Sequence, residues 1–170
     1  PEGLLDAAAG GANTDPSVIA AAAAAAGSRV PLGTLHRLVE LARAKEAEAP
    51  AEADRREWLL ARAALHAVLA ARRSRVALYD VIETLDREPG PLPEAFATAI
   101  ERLGDAACLD TLAAAAARTA GTDFVQTQQW RDRLLAAGRA ILDRERLTRR
   151  HAAVRRLERA FPDFTRALFA

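Results

Sequence analysis

The sequence predicts an all-α fold, a right-handed α-solenoid of about four helical hairpins. Three observations carry this reading. About a quarter of the 170 residues are Ala, with nine Gly, eight Pro and six Phe or Tyr, a composition that favours helix nearly everywhere. Gly and Pro sit mostly where one helical pattern stops and the next begins, which is where chain reversals belong. And Ser28-Arg29-Val30-Pro31-Leu32 returns 46 residues later as Ser74-Arg75-Val76-Ala77-Leu78, each time opening a long helical pattern. A repeated unit too small to bury its own apolar face stacks on its neighbours and shares one core with them.

The elements follow in order. Residues 1–14, with Gly10-Gly11, read as a linker or the frayed end of a missing unit, leaving residues 15–170 as a single domain. Asp15-Pro16 supplies an N-cap carboxylate and a proline at the first helical position, where its missing N–H costs nothing. That helix ends at Gly27, which tolerates the left-handed conformation of a C-terminal cap. Ser28 then caps a second helix whose stripe is Val30, Leu32, Leu35, Leu38, Val39 and Leu41. The second unit runs from Pro50 through Trp58 and His66 to Arg72-Arg73, restarts at Ser74, and stops at Pro89-Gly90-Pro91, which cannot continue a helix. The third opens at Leu92-Pro93, breaks at Gly104, is recapped by Asp105 and continues to Thr119. The fourth spans roughly Asp123 to Arg144 and resumes after Leu147-Thr148 as far as Phe161. Leu32, Leu78, Leu109 and Val154 align as equivalent positions on the second helix of each unit, at a mean spacing of about 41 residues.

The segment from Ala99 through Leu103-Gly104-Asp105-Ala106 to Leu109 resembles the inter-helix turn of bacterial HEAT-like repeat proteins, where a helix ending in Leu-Gly is followed by an Asp cap and a small-apolar helix. Residues Ser74 to Leu85 are similar to the second helix of another such unit. The likeness takes in units two to four well and unit one weakly. It implies a stacked-hairpin fold and a scaffold role, and its motifs transfer no catalytic residue.

Nothing in the sequence demands a chemistry. His36, His66 and His151 are far apart and none lies at i+4 to another, so no metal site is expected. Cys108, the single cysteine, forms no intramolecular disulfide and reads as core at a helix start; a lone thiol suits a reducing compartment, and a cytoplasmic location is expected. The Ala20–Ala26 run is too short for a membrane span. The start at Pro1 and the lack of Met point to a piece of a longer protein. No enzyme activity and no cofactor are expected.

The candidate binding residues fall in two groups. Asp80 and Glu83, with Asp86 one turn on, form an acidic stripe beside Tyr79 that reads as a solvated helix surface and, as a recognition face, would suit a basic peptide. From Arg131 to Ala170 there are eleven arginines against five carboxylates, while the preceding part is net acidic. Arg149, Arg150, Arg155 and Arg156 crowd one helix, where guanidinium groups can pair with phosphates. Glu158 interrupts that patch. The function expected is therefore a non-enzymatic scaffold binding another protein or the rest of its own chain, with a nucleic-acid-binding module using the C-terminal arginines as the alternative.

Overall fold

The computed structural model describes residues 2–11, 15–119 and 124–170. Among them are ten α-helices, two short 3-10 turns and no strand: α1 Glu2–Ala9, α2 Pro16–Ala26, α3 Leu32–Glu48, α4 Glu52–Ala71, α5 Leu78–Arg87, α6 Glu94–Leu103, α7 Leu109–Arg118, α8 Val125–Glu145, α9 Ala152–Ala160 and α10 Pro162–Leu168. The all-α expectation holds. The chain divides into two compact units, Pro1–Ala77 and Leu78–Ala170.

In the first unit the residues expected to be a linker instead form a packed helix. Leu5 and Ala8, one turn apart on α1, are both fully buried, and Asp6 accepts a hydrogen bond from the Thr34 hydroxyl at 2.9 Å. Pro1 and residues 12–14 lie outside the described residues. The α2 cap is as expected. The Asp15 carboxylate accepts from the Ser17 hydroxyl at 2.5 Å and from the Ser17 N–H at 2.8 Å, and these two bonds hold its carboxyl below the usual value of 3.8. Gly27 closes the helix at φ 53°, and its N–H reaches the Ala23 carbonyl.

The helix pairing departs from the expected hairpins. α2 and α3 meet only marginally; α4 packs along both, and α1 packs along both from the other side. The four helices thus form a quadrilateral in which the first and fourth, like the second and third, stand diagonally opposed. The core is Ile19, Ala23 and Ala26 from α2, Leu35, Leu38 and Val39 from α3 and Leu65, Val68 and Leu69 from α4, with Trp58 packed against it. The second expected hairpin joined α4 to α5, so it straddles the boundary between the two units. In the second unit, too, α6 and α7 meet only marginally. Both pack on α8 and on α5, and α9 pairs with α10 and rests on α7. The expected start of the fourth hairpin at Asp123 lies outside the described residues.

The two quadrilaterals share one pattern of helix contacts. In sequence, residues 16–42 align with 93–119 without a gap: Pro16, Ala20, Ala22, Gly27, Leu32, Thr34 and Leu35 recur as Pro93, Ala97, Ala99, Gly104, Leu109, Thr111 and Leu112. The buried positions correspond as well, Ile19 to Phe96, Ala23 to Ile100, Leu38 to Ala115 and Val39 to Ala116. Each copy places a 3-10 turn between its second and third helices. The fourth helices correspond with a slightly shorter offset, Ala61, Val68 and Leu69 matching Leu134, Ile141 and Leu142.

Both fourth helices end alike. Arg73 and Arg146 adopt left-handed φ values of 54° and 53°, and the next N–H closes the turn onto Leu69 and Leu142 at 2.9 and 2.8 Å. An arginine near each end then reaches back to its own copy's connection. Arg72 donates to the Val30 carbonyl, and Arg144 donates to the Glu101 carbonyl at 2.8 Å and to that of Gly104. This correspondence spans four helices at offsets of 77 and 73 residues, where the unit expected from Ser28 and Ser74 has two helices and about 41 residues. Leu32 and Leu109 are equivalent, as expected; Leu78 instead opens a first helix, and Val154 lies in α9.

Candidate binding groove

The second unit carries an open apolar groove of about 360 Å³ between α7, α8 and the α9–α10 corner. Its floor is the alanine run of α7, with Ala113, Ala116 and Ala117 lining it, and Leu135 lines it from α8. Phe161 and Phe164 form the opposite wall. Short side chains on α7 leave space that a leucine-rich face would fill, so the groove follows from the composition of one helix.

Local chemistry holds the Phe wall in place. Pro162 starts α10 with no N–H to satisfy, and Phe161, at φ −137° and ψ 68°, turns the chain out of α9. The Phe161 carbonyl accepts from the Thr165 hydroxyl at 3.0 Å. Gly138 on α8 lets α10 approach: a Cβ there would lie 2.7 Å from Leu168 Cδ2 and 3.7 Å from Phe164 Cζ. The Arg139 guanidinium then donates to the Ala167 carbonyl at 2.6 Å and the Leu168 carbonyl at 3.4 Å, capping the C-terminal end of α10 with a cation where the helix dipole favours one. At one end of the groove Arg131 donates to the Thr119 carbonyl at 2.6 Å, which ties α8 to the end of α7. Asp163, at the other wall, pairs with Arg166 at 3.0 Å.

The residues singled out from sequence lie elsewhere. Asp80 is fully buried, so it belongs to no surface and the acidic stripe is not continuous. Tyr79 is 40% exposed, and Glu83 is engaged by Arg87 at 3.4 Å. Arg149 pairs with Glu158 at 3.6 Å and lies 4.8 Å above the Phe169 ring; Arg156 grips Asp110 through Nη2 at 2.9 Å and Nε at 3.0 Å. Arg150 and Arg155 are exposed and make no ion pair among the described residues. The basic cluster is thus half neutralised by its own carboxylates.

Cys108 is buried, as expected. His66 is 2% exposed on α4, while His151 caps α9, its Nδ1 accepting from the Ala153 N–H at 3.3 Å. Among the described residues no group of three or more His, Cys, Asp or Glu side chains could hold a metal ion, and no helix is long and apolar enough to cross a membrane. No protein-family profile, curated protein or solved structure matches the chain.

Proposed function

We propose that the chain is a non-enzymatic, protein-binding scaffold built from helical repeats, HEAT-like in role although its repeat is a four-helix unit. The observation that carries this reading is the groove: an open, apolar cleft walled by Ala, Leu and Phe is the kind of surface that takes side chains from a partner. The exposed Phe124 and Val125, 74% and 73% accessible at the start of α8, add apolar area on the same helix. The pairing of Arg149 and Arg156 with carboxylates weakens the phosphate-binding alternative, which retains Arg150, Arg155 and Arg159 as exposed cations.

One pair of variants separates the two. Ala117→Glu puts a charge into the groove at an exposed position of α7, and Arg150→Ala/Arg155→Ala strips the basic face. A protein recovered by crosslinking to the full chain is expected to be lost with Ala117→Glu and kept with the arginine variant. Duplex nucleic acid is expected to bind no tighter than about 10⁻⁴ to 10⁻⁶ M at physiological salt. Submicromolar duplex binding, falling with salt and flattened by the arginine substitutions, would overturn the scaffold reading.

A further inference from the structure

The groove and the start of α8 lie on one seam of the second unit. Phe124, at the N-cap of α8, precedes Arg131 by seven residues and Leu135 by eleven, so the three side chains share one face of the helix to within about 20°. Along that face α10 lies against Gly138, and the groove opens at Leu135 and Arg131. Phe124 stands about 10 Å further on, 74% exposed. From Phe124 to Gln129 every exposed residue is uncharged, in a chain of which 28% is charged. Gln128 has its hydrogen bonds already: its amide donates to Asp132 at 2.9 Å and its carbonyl accepts from Arg131 at 3.4 Å, so covering it strands no polar group. An apolar knob, a neutral strip and an apolar hole thus follow one another along one side of α8.

We infer that the occupant of the groove is a second copy of this chain: two α8 helices pair antiparallel about a two-fold axis beside Gln128, and Phe124 of each copy enters the groove of the other. The proposal rests on the scaffold reading and names the partner of that groove. The knob lies about 13 Å along the helix from the middle of the groove. An axis midway, at Gln128 and Gln129, therefore sets knob opposite hole on both sides at once, the self-complementarity that a closed two-fold pair requires. Only neutral side chains then meet at the axis, where a charged one would face its own like charge. Phe124 and Val125 together leave roughly 250 Å² in water. Counted on both copies, with the groove surface that covers it, the contact buries about 1,000 Å², the lower bound of a specific interface and too little for a permanent one. A dimer that forms and dissociates with concentration follows.

Sedimentation equilibrium of the full chain from about 10 µM to about 1 mM is expected to show an average mass that rises from 18.2 kDa and levels at twice that value, with a dissociation constant on the order of 100 µM. Phe124→Ser, which leaves a better N-cap residue and so keeps the helix start, and Ala117→Glu, at an exposed position of α7, are each expected to weaken association at least about tenfold. The decisive sample mixes the two variants. The Ala117→Glu chain keeps the knob and the Phe124→Ser chain keeps the hole, so one of the two contacts re-forms between unlike copies. With the Phe124→Ser chain isotope-labelled, unlabelled Ala117→Glu chain is expected to shift the amides of Ala113, Leu135 and Phe164 in heteronuclear NMR, and unlabelled Phe124→Ser chain to leave them in place. A mass that stays at 18.2 kDa throughout, association that continues past the dimer, undiminished association of Phe124→Ser, or a mixture no tighter than either variant alone would overturn the proposal. A partner of different sequence that is lost with Ala117→Glu while the chain itself stays monomeric would sink the second copy alone and leave the scaffold reading standing.

Discussion

Leu109 and Leu32 occupy the same position of the repeat, the first residue of the third helix, yet one is 1% and the other 39% exposed. The same substitution at both should therefore separate burial from sequence context. Leu→Ala removes three carbons, about 2.4 kcal/mol of transfer free energy when the side chain is fully buried. At Leu109 a partly collapsed void of about 40 Å³ adds about 1 kcal/mol, for a total near 3.4 kcal/mol. At Leu32 about three-fifths of the transfer free energy is at stake, water fills the space, and alanine is the better helix former, so the loss is about 1 kcal/mol. With a slope of about 2 kcal/mol/M, urea unfolding followed by far-UV circular dichroism should show midpoint shifts of roughly 1.7 M and 0.5 M. Hydrogen exchange should place the Leu109→Ala loss among amides of residues 78–170. Equal shifts for the two variants, or a Leu109→Ala loss under about 1 kcal/mol, would refute the burial assigned to the third helices.

Gly138→Ala should destabilise by about 1 kcal/mol despite alanine's higher helix propensity, because its Cβ meets buried Leu168 at 2.7 Å; adding Leu168→Ala should cost less than the sum of the single changes in a double-mutant cycle. Arg62→Leu copies the residue found at Leu135 but leaves Glu46 facing an apolar neighbour, and should cost about 3 kcal/mol in urea unfolding, most of it recovered by Glu46→Gln in the same chain. Asp15, held below 3.8 by Ser17, stabilises the folded state above the ordinary aspartate value and loses that contribution as pH falls through its depressed one. The deficit of Asp15→Ala against the parent should accordingly be full at neutral pH and shrink below about pH 4, as read from unfolding midpoints; a deficit that grew on acidification would reverse the assignment.

What was legible in the sequence is what local chemistry decides. Asp15-Pro16 and Asp105 mark helix or 3-10 starts because a carboxylate one residue ahead of a turn satisfies free N–H groups whatever the rest of the chain does. Gly27 and Gly104 mark ends for the converse reason, each sending its N–H back to a carbonyl of the last turn. Which helices pair is not local, and there the reading went astray. Ser28-Arg29-Val30 and Ser74-Arg75-Val76 look alike, but the first enters a 3-10 turn between a second and a third helix, and the second leaves a left-handed arginine cap for a first helix. The longer correspondence of residues 16–42 with 93–119 was masked because, in an alanine-rich chain, Ala20 matching Ala97 carries little information, while the informative matches are apolar exchanges such as Ile19 for Phe96. Asp80 was misplaced because helical spacing alone does not say which side of α5 is covered.

The groove was invisible for a related reason: an alanine run reads as a close-packed helix, and it opens a cleft only when the facing elements do not close on it. In the first unit α2 is the alanine-rich helix, and α4 packs along it. In the second unit the alanines have moved to α7, and α6 carries Phe96, Ile100 and Leu103 in their place. Bulk has thus been exchanged between the second and third helices of the two copies while the buried register stayed the same. Such an exchange falls on buried positions of both helices, Leu38 and Val39 giving way to Ala115 and Ala116, and it leaves α7 with short side chains where the groove lies. Leu109 and Leu112 stay buried on α7, so the short side chains beside them open the groove without removing the helix's own anchors.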